Sequence, residues 1–312
     1  MSLMQFWRRS GVGRAYSAKT AALGPRSAPP PPASQLFVPL GHYYSPVVDP
    51  VEADRVLAVA EAAPPPERLA DVAIDRDAMV RLWRELQPDL AAAPFPAHRA
   101  AGFHYYFENP AYAWGDGLVY YAMLRRWRPR RVVEVGSGFS SALLLDTLSA
   151  DWPKPCDVTF VEPYPDILRA VVGPDVKRAQ FIVSPVQACP IEVFTSLQPG
   201  DFLFIDSTHV LKTGSDVCHE LFEILPALAP GVIIHFHDMF WPFEYPRPWA
   251  VDENRSWNEL YAMRAFLSGN RDYEILMFND YMGKLERQMI SETCPRFLVN
   301  PGGALWLRKL AG

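Results

Sequence analysis

The chain has little cysteine, little net charge and no long apolar run, and each shortage removes a class of protein. Its four cysteines, Cys156, Cys189, Cys218 and Cys294, stand far apart in 312 residues with no C-x-x-C among them. Neither a zinc knuckle nor a disulfide framework is expected, and a reducing, cytoplasmic setting is the simplest reading. No apolar stretch is long enough to cross a bilayer, so no membrane partner is expected. A net charge of −5 and a pI near 5.8 lack the basic excess that phosphate backbones demand, which argues against a general nucleic-acid binder. No internal repeat is visible.

Residues 1–48 contain no acid, the first being Asp49, yet they hold Arg8, Arg9, Arg14, Lys19, Arg26 and the run Pro29 to Pro32. Such a segment cannot bury enough apolar surface to offset the entropy of ordering it, so residues 1–35 are expected to form a mobile, basic, proline-rich tail. The same acid-free, serine-containing composition is that of an organelle transit peptide, and composition alone does not separate the two.

What is present is a chain that is 49% apolar, enough for a large core and for a domain of about 180 residues with a smaller appendage. Apolar residues recur at helical spacing over residues 51–62 and 74–91, where Met79, Leu82, Trp83 and Leu86 share one side. An aromatic-dense stretch, 104–117, then leads into a helix around 118–127 and reads either as a hydrophobic plug or as one wall of a pocket. Residues 36–128 are therefore expected to form a helical cap and residues 129–312 an α/β domain.

From Arg131 strands alternate with helices, which implies a largely parallel sheet covered on both faces. Strands are expected at 131–135, 158–161, 181–183, 202–205 and 232–236, helices at 139–150, 214–225 and 257–268, closing strands at 273–278 and 304–309, and a loop near 281–300. In the stretch RVVEVGSGFSS, 131–141, a β-branched run meets Gly136 and Gly138 and then a helix. A side chain at either glycine would keep the backbone from a ligand, and the helix start offers free N–H groups, so this reads as a nucleotide-binding turn. The third glycine of G-x-G-x-x-G is replaced by Ser141, and Glu134 stands two residues ahead of the first, giving E-x-G-x-G.

Ligands of open α/β sheets bind at the carboxyl ends of the strands. Those ends carry Glu134, Glu162, Asp206-Ser207-Thr208-His209 and His237-Asp238. Glu162 is placed to accept two hydrogen bonds from a ribose diol, and Gln187, beyond the third strand, to face an adenine edge. Two carboxylates at neighbouring strand ends, Asp206 and Asp238, would repel one another unless a cation or proton sat between them.

The turn resembles that of the class I S-adenosylmethionine (SAM) methyltransferases. Residues 36–309 are further similar to a bacterial group of that class through VEVGSGFSS, FVEPYP, FIDSTHV, KTGSDV, GVIIHFHD, PFEYP and WNELYAMRAFL, in that order. The resemblance implies a Rossmann-like sheet, mostly parallel with an antiparallel edge, and a SAM cofactor held by Glu134, Gly136, Gly138, Ser140, Glu162, Gln187 and Asp206. A more distant resemblance to catechol-type and sugar O-methyltransferases implies a divalent metal on Asp206, His237 and Asp238, with His209 in the place of the base. Carboxylates and water suit Mg²⁺, whereas the imidazole of His237 favours a transition metal. An unperturbed imidazole, with a pKa of about 6.5, is matched to removing a hydroxyl proton near neutral pH.

Blander readings stand beside these. Asp206 would serve equally as a helix cap, His235 as a core residue, and the aromatic, proline-rich 239–249 as a packing loop rather than a lid. Trp257, Asn258 and Glu259 are expected to add contacts to the acceptor. The expected activity is methyl transfer to a small-molecule acceptor at oxygen. A metal-dependent redox enzyme on the same scaffold and a non-catalytic SAM-binding module are the alternatives, and a homo-oligomer is left open.

Overall fold

The computed structural model describes residues 36–148, 152 and 155–311. The expected basic tail lies outside the described residues. The described chain opens with α1 (Pro50–Ala62), whose start is fixed by Asp49: its carboxylate accepts the Val51 N–H at 2.8 Å, and Pro50 occupies a first-turn position where no N–H is needed. Asp75 does the same for α2 (Arg76–Ala92), accepting from Ala78 N at 2.8 Å. Along α2, Met79, Trp83, Leu86 and Leu90 are buried, a single stripe that lies against α3 (Trp114–Trp127) and joins one continuous core with the sheet. Helix α3 starts four residues earlier than the sequence pattern indicates, because the aromatic stretch itself supplies its first turn.

Strands β1 (Arg131–Val135), β2 (Asp157–Val161), β3 (Ala179–Ile182), β4 (Phe202–Ile205) and β5 (Ile233–Phe236) are parallel, and β6 (Tyr273–Phe278) and β7 (Leu305–Lys309) close the sheet antiparallel. The order is β3-β2-β1-β4-β5-β7-β6, a mostly parallel sheet with the antiparallel edge that the resemblance implies. Strands β4 and β5 are buried on both faces, which is why they read as continuous apolar runs rather than alternations. Helices α4 (Phe139–Thr147), α5 (Asp166–Val172), α6 (Glu192–Thr195), α7 (Asp216–His219), α8 (Leu225–Ala227) and α9 (Glu259–Leu267) form the crossovers. Between α7 and α8 the chain takes a π-helical turn, Glu220–Ile224.

The segment expected to be a loop, 281–300, is largely helical: α10 (Asn279–Leu285), α11 (Arg287–Thr293) and a 3₁₀ turn, Pro295–Val299. Its short elements carry too few apolar positions for a visible period, and they are held by tertiary contacts such as Trp83 Nε1 donating to Thr293 Oγ1 at 3.0 Å. Among the described residues no helix is long and apolar enough to cross a membrane.

Candidate active site

The glycine turn after β1 is locked to the end of β4. Gly136 adopts φ +82°, and a Cβ there would stand 2.0 Å from the Asp206 carbonyl oxygen, so only glycine lets β1 pass this close. At Gly138 the situation is opposite, with nothing within 4 Å of a built Cβ; its N–H is taken by Ser141 Oγ at 3.0 Å. Ser140 and Ser141 donate their hydroxyls to Glu134 Oε1 at 2.6 and 2.8 Å. The serine in the third-glycine position thus binds the acid of the motif.

Glu134 is fully buried, and its Oε2 has no hydrogen-bond partner among the described residues. Burial pushes its carboxyl up to about 8, against the pull of the two serine hydroxyls. Glu162, at the end of β2, is also buried. Its Oε2 accepts the Ser137 N–H at 3.0 Å and its Oε1 the Tyr164 N–H at 2.7 Å, joining the β2 end to the glycine turn. Gln187 is exposed and donates to the Gly214 carbonyl at 2.9 Å. The cradle fits SAM on two counts: the space above Gly138 is open, and a buried carboxyl oxygen, Glu134 Oε2, is left for a ligand to pair with.

Next to the cradle four titratable side chains converge. His209 Nε2 lies 3.3 Å from Asp206 Oδ1 and 3.4 Å from Asp238 Oδ2. His237 Nδ1 lies 3.4 Å from Asp206 Oδ1 and 3.6 Å from Asp238 Oδ1. Each imidazole is braced from behind by another carboxylate: His209 Nδ1 by Glu259 Oε2 at 2.8 Å, and His237 Nε2 by Asp116 Oδ2 at 3.3 Å. Burial disfavours charge on both rings, yet the surrounding acids raise both well above the ordinary imidazole range. Burial opposes charge at Asp206 too, but His237 and His209 hold it well below the usual carboxylate range. Asp238 is raised by burial, with Asp206 and Asp116 adding to it.

His209 and Asp238 both sit at positive φ, +61° and +59°, a conformation uncommon for residues with a Cβ and concentrated at functional sites. The His209 carbonyl accepts N–H groups from Asn258 and Glu259 at 3.1 and 3.2 Å, so the first turn of α9 holds that strained backbone while Glu259 holds the ring. Asp206, His209 and Asp238 each place one ligand atom within 4.8 Å of the others. Two carboxylates and one imidazole in that space fit a divalent cation. His237 faces the same carboxylates from the side.

His235 is a core residue, as its place on a covered strand implies. Its ring centroid is 4.0 Å from that of Phe204 and 4.6 Å from that of Trp306, and neither nitrogen has a partner. Burial, aided by His237, keeps it well below the ordinary imidazole range. The aromatic stretch 104–114 is mainly a plug, with Tyr105, Phe107 and Tyr112 buried. The first half of 239–249 is likewise packed: Met239, Trp241, Phe243 and Tyr245 are buried, and Trp241 Nε1 donates to the Pro66 carbonyl at 2.7 Å.

Sequence reasoning passed over Asp116 and Glu220, and it gave Glu259 to the acceptor rather than to His209. Asp116 also accepts from Ala304 N at 3.0 Å and Asn279 Nδ2 at 3.2 Å, contacts 188 and 163 residues away in the chain. Glu220 is buried in the π-helical turn, accepts the Ser207 hydroxyl at 3.1 Å, and is raised well above the ordinary range by burial and by Glu259. The one local signal for Glu220 is an acid among the apolar residues of its helix.

Residues 133–239 match a family model described as "Methyltransferase domain". An uncharacterized protein of Archaeoglobus fulgidus is 28% identical over 176 residues, covering 53% of this chain and 75% of its own. Among solved structures, the O-methyltransferase of Bacillus cereus in complex with SAH is 17% identical, with a TM-score of 0.36 over 64% of this chain and 83% of its own. The O-methyltransferase TomG of Streptomyces achromogenes in complex with SAM is 13% identical, with a TM-score of 0.39 over 84% of this chain and 99% of its own.

Proposed function

We propose that this chain is a class I SAM-dependent methyltransferase, a reading that its match to a methyltransferase-domain model supports, and that it methylates a hydroxyl oxygen of a small molecule at the cluster of Asp206, His209, His237 and Asp238. The observation that carries the reading is the meeting of the open glycine cradle with that cluster along one end of the sheet, the Gly136 turn packing directly on Asp206. When bound, SAM supplies the electrophilic methyl group on its sulfonium, and a divalent cation would make the acceptor hydroxyl easier to deprotonate.

The chain's own work is to position, to exclude water and to move one proton. Glu134 and Glu162 would hold the two ends of the cofactor. Asp206, His209 and Asp238 would hold the cation, and Glu259, against His209 Nδ1 at 2.8 Å, would keep the ring proton on that side and leave Nε2 to the metal. His237, once a bound cation offsets the Asp206 and Asp238 charges that otherwise keep its ring protonated, would take the hydroxyl proton on Nδ1, with Asp116 stabilising the charged ring through Nε2. This exchanges the roles of the two histidines relative to the sequence expectation. The grouping of His209, and not His237, with the two carboxylates supports the exchange.

The test is calorimetric titration of the purified protein with SAM and SAH, followed by assay of SAH release with hydroxyl acceptors before and after chelation. Absence of SAM binding would remove the cofactor from the scheme. Turnover that survives complete chelation would remove the cation.

A further inference from the structure

Three consecutive residues at the start of α9 grip the loop that carries His209, although the sequence pattern gives all three to the acceptor. Glu259 meets the ring at Nδ1. Asn258 pairs with both backbone groups of Leu211: its Oδ1 accepts the N–H at 2.6 Å and its Nδ2 donates to the carbonyl at 3.2 Å. The Trp257 ring lies against the imidazole itself, 4.4 Å from centroid to centroid with 40° between the planes. Trp257 is in turn held by Arg255, whose guanidinium lies over the Trp257 ring at 4.6 Å and over the Trp249 ring at 4.1 Å, and the two indoles meet edge-on at 5.5 Å. Arg255 is kept there by Glu253, 2.6 Å from its guanidinium, and by its own N–H, which donates to the Trp249 carbonyl at 2.8 Å.

We propose that Trp257 is a positioning residue for His209: it fixes the plane of the imidazole, as Glu259 fixes its tautomer, and Arg255 holds Trp257 in place. The inference rests on the reading of His209 as a cation ligand and adds the residues that aim it. One hydrogen bond at Nδ1 leaves the ring able to tilt about that bond, and a tilt carries the in-plane lone pair of Nε2 away from the point that Asp206 and Asp238 share. A flat side chain packed on the ring removes the tilt, which a carboxylate behind it cannot do. Core filling does not account for Trp257. Its side chain is partly exposed and borders an open groove of about 280 Å³, and the rings it meets are those of His209, Tyr245 and Trp249. Nor is Arg255 an ordinary surface cation, since its charge is matched by Glu253 and its flat face is spent on two indoles.

The experiment compares the full chain with Trp257→Ala, Trp257→Phe and Arg255→Ala by two readouts. The first needs no cation: ring-nitrogen NMR of protein labelled at histidine, with the His209 signals identified by their loss in His209→Asn. The parent and Trp257→Phe, which keeps a flat ring on the imidazole, should each give one narrow set of His209 signals. Those of Trp257→Ala should be broadened or doubled, and those of Arg255→Ala broadened to a smaller extent. The second readout is titration with Co²⁺, followed by its visible absorption. Trp257→Ala should bind Co²⁺ at least about tenfold more weakly and with a changed spectrum, Arg255→Ala about two- to fivefold more weakly, and Trp257→Phe nearly as the parent does, with SAM affinity the same in all four proteins. Narrow His209 signals or parental Co²⁺ affinity in Trp257→Ala, or a Trp257→Phe protein as impaired as Trp257→Ala, overturns the proposal, and so does loss of SAM binding together with Co²⁺ binding, which marks a general structural role. Should Trp257→Ala not fold, narrow parental signals in Arg255→Ala have the same force. A parent chain that binds no Co²⁺ strikes the cation reading beneath, while the nitrogen signals still decide whether Trp257 locks the ring.

Discussion

Glu259 Oε2 lies 2.8 Å from His209 Nδ1, across 50 residues of sequence, with both side chains buried. A carboxylate behind an imidazole fixes its tautomer and raises its basicity as a ligand. Glu259→Ala should therefore weaken binding of Mn²⁺ or Co²⁺ by about 10- to 100-fold, while calorimetry with SAM shows an unchanged affinity. Glu259→Gln, which keeps an acceptor oxygen but no charge, should fall between. Equal cation affinity in the parent and Glu259→Ala would show that the brace is structural only.

The two glycines of the turn should respond in opposite ways. Gly136→Ala sets a Cβ 2.0 Å from the Asp206 carbonyl at a φ of +82°, so the turn must move away from β4, with a loss of several kcal/mol in unfolding free energy, on the order of other strained or overpacked sites. Gly138→Ala has open space around it and a φ of 178°, so the denaturation midpoint should hold. Its methyl group would stand in the cradle, and SAM affinity should drop by about tenfold or more. A Gly138→Ala protein that binds SAM like the parent would place the cofactor elsewhere.

Glu134 gives a pH dependence with a definite sign. Its folded carboxyl is raised from 4.5 to about 8, so between those values the folded state holds the proton that the unfolded state has lost. The stability from the neutral acid is fully present below 4.5, declines as pH rises, and is gone above about 8. The unfolding free energy of the parent should fall relative to Glu134→Gln across this window, by at most ~1.4 kcal/mol per pH unit. Parallel urea-denaturation curves for the two proteins at every pH would contradict a buried neutral carboxyl.

The pattern of what the sequence discloses has a physical origin. Strands β1, β4 and β5 are largely buried, so their apolar runs are written locally; Asp206, His209, His237 and Asp238 are legible as polar residues following β4 and β5, Glu162 as the acid following β2, and Glu134 as the acid within β1 just ahead of the glycines. Partners of those residues are not. Asp116 lies in the first turn of α3, where an acid is also an ordinary helix-start residue, and it reaches His237 only when β7 is laid beside β5. Glu259 likewise reads as the acid of an N-terminal turn until the fold carries it under His209. The helices of 279–299 were hidden for the related reason that their stability comes from distant contacts rather than from their own composition.

Glu162 ties two backbone N–H groups to its carboxylate while facing the cradle. Glu162→Ala should weaken SAM binding by about tenfold to a hundredfold, consistent with loss of a charge-assisted pair of hydrogen bonds. Its unfolding midpoint should also fall, because the Ser137 and Tyr164 amides lose their acceptor. Adenosine, which keeps the ribose diol, should lose affinity in proportion, whereas methionine should not. A variant that loses both ligands equally would point to collapse of the turn rather than loss of a ribose contact.

The two histidines can be told apart because their outer nitrogens are bound to different acids. His209→Asn removes a donor from the group of Asp206, His209 and Asp238 and should lower Mn²⁺ or Co²⁺ affinity steeply, carrying turnover down with it. His237→Asn leaves that group in place, so cation and SAM affinities should stay within a few-fold of the parent while kcat drops by about 10²- to 10⁴-fold, the usual contribution of a positioned general base. Raising the pH should partly restore turnover in His237→Asn, since more of an acceptor hydroxyl is then ionised without help, and should do nothing comparable for His209→Asn. If His237→Asn loses the cation as completely as His209→Asn, both imidazoles are ligands, and the proton must leave through another group.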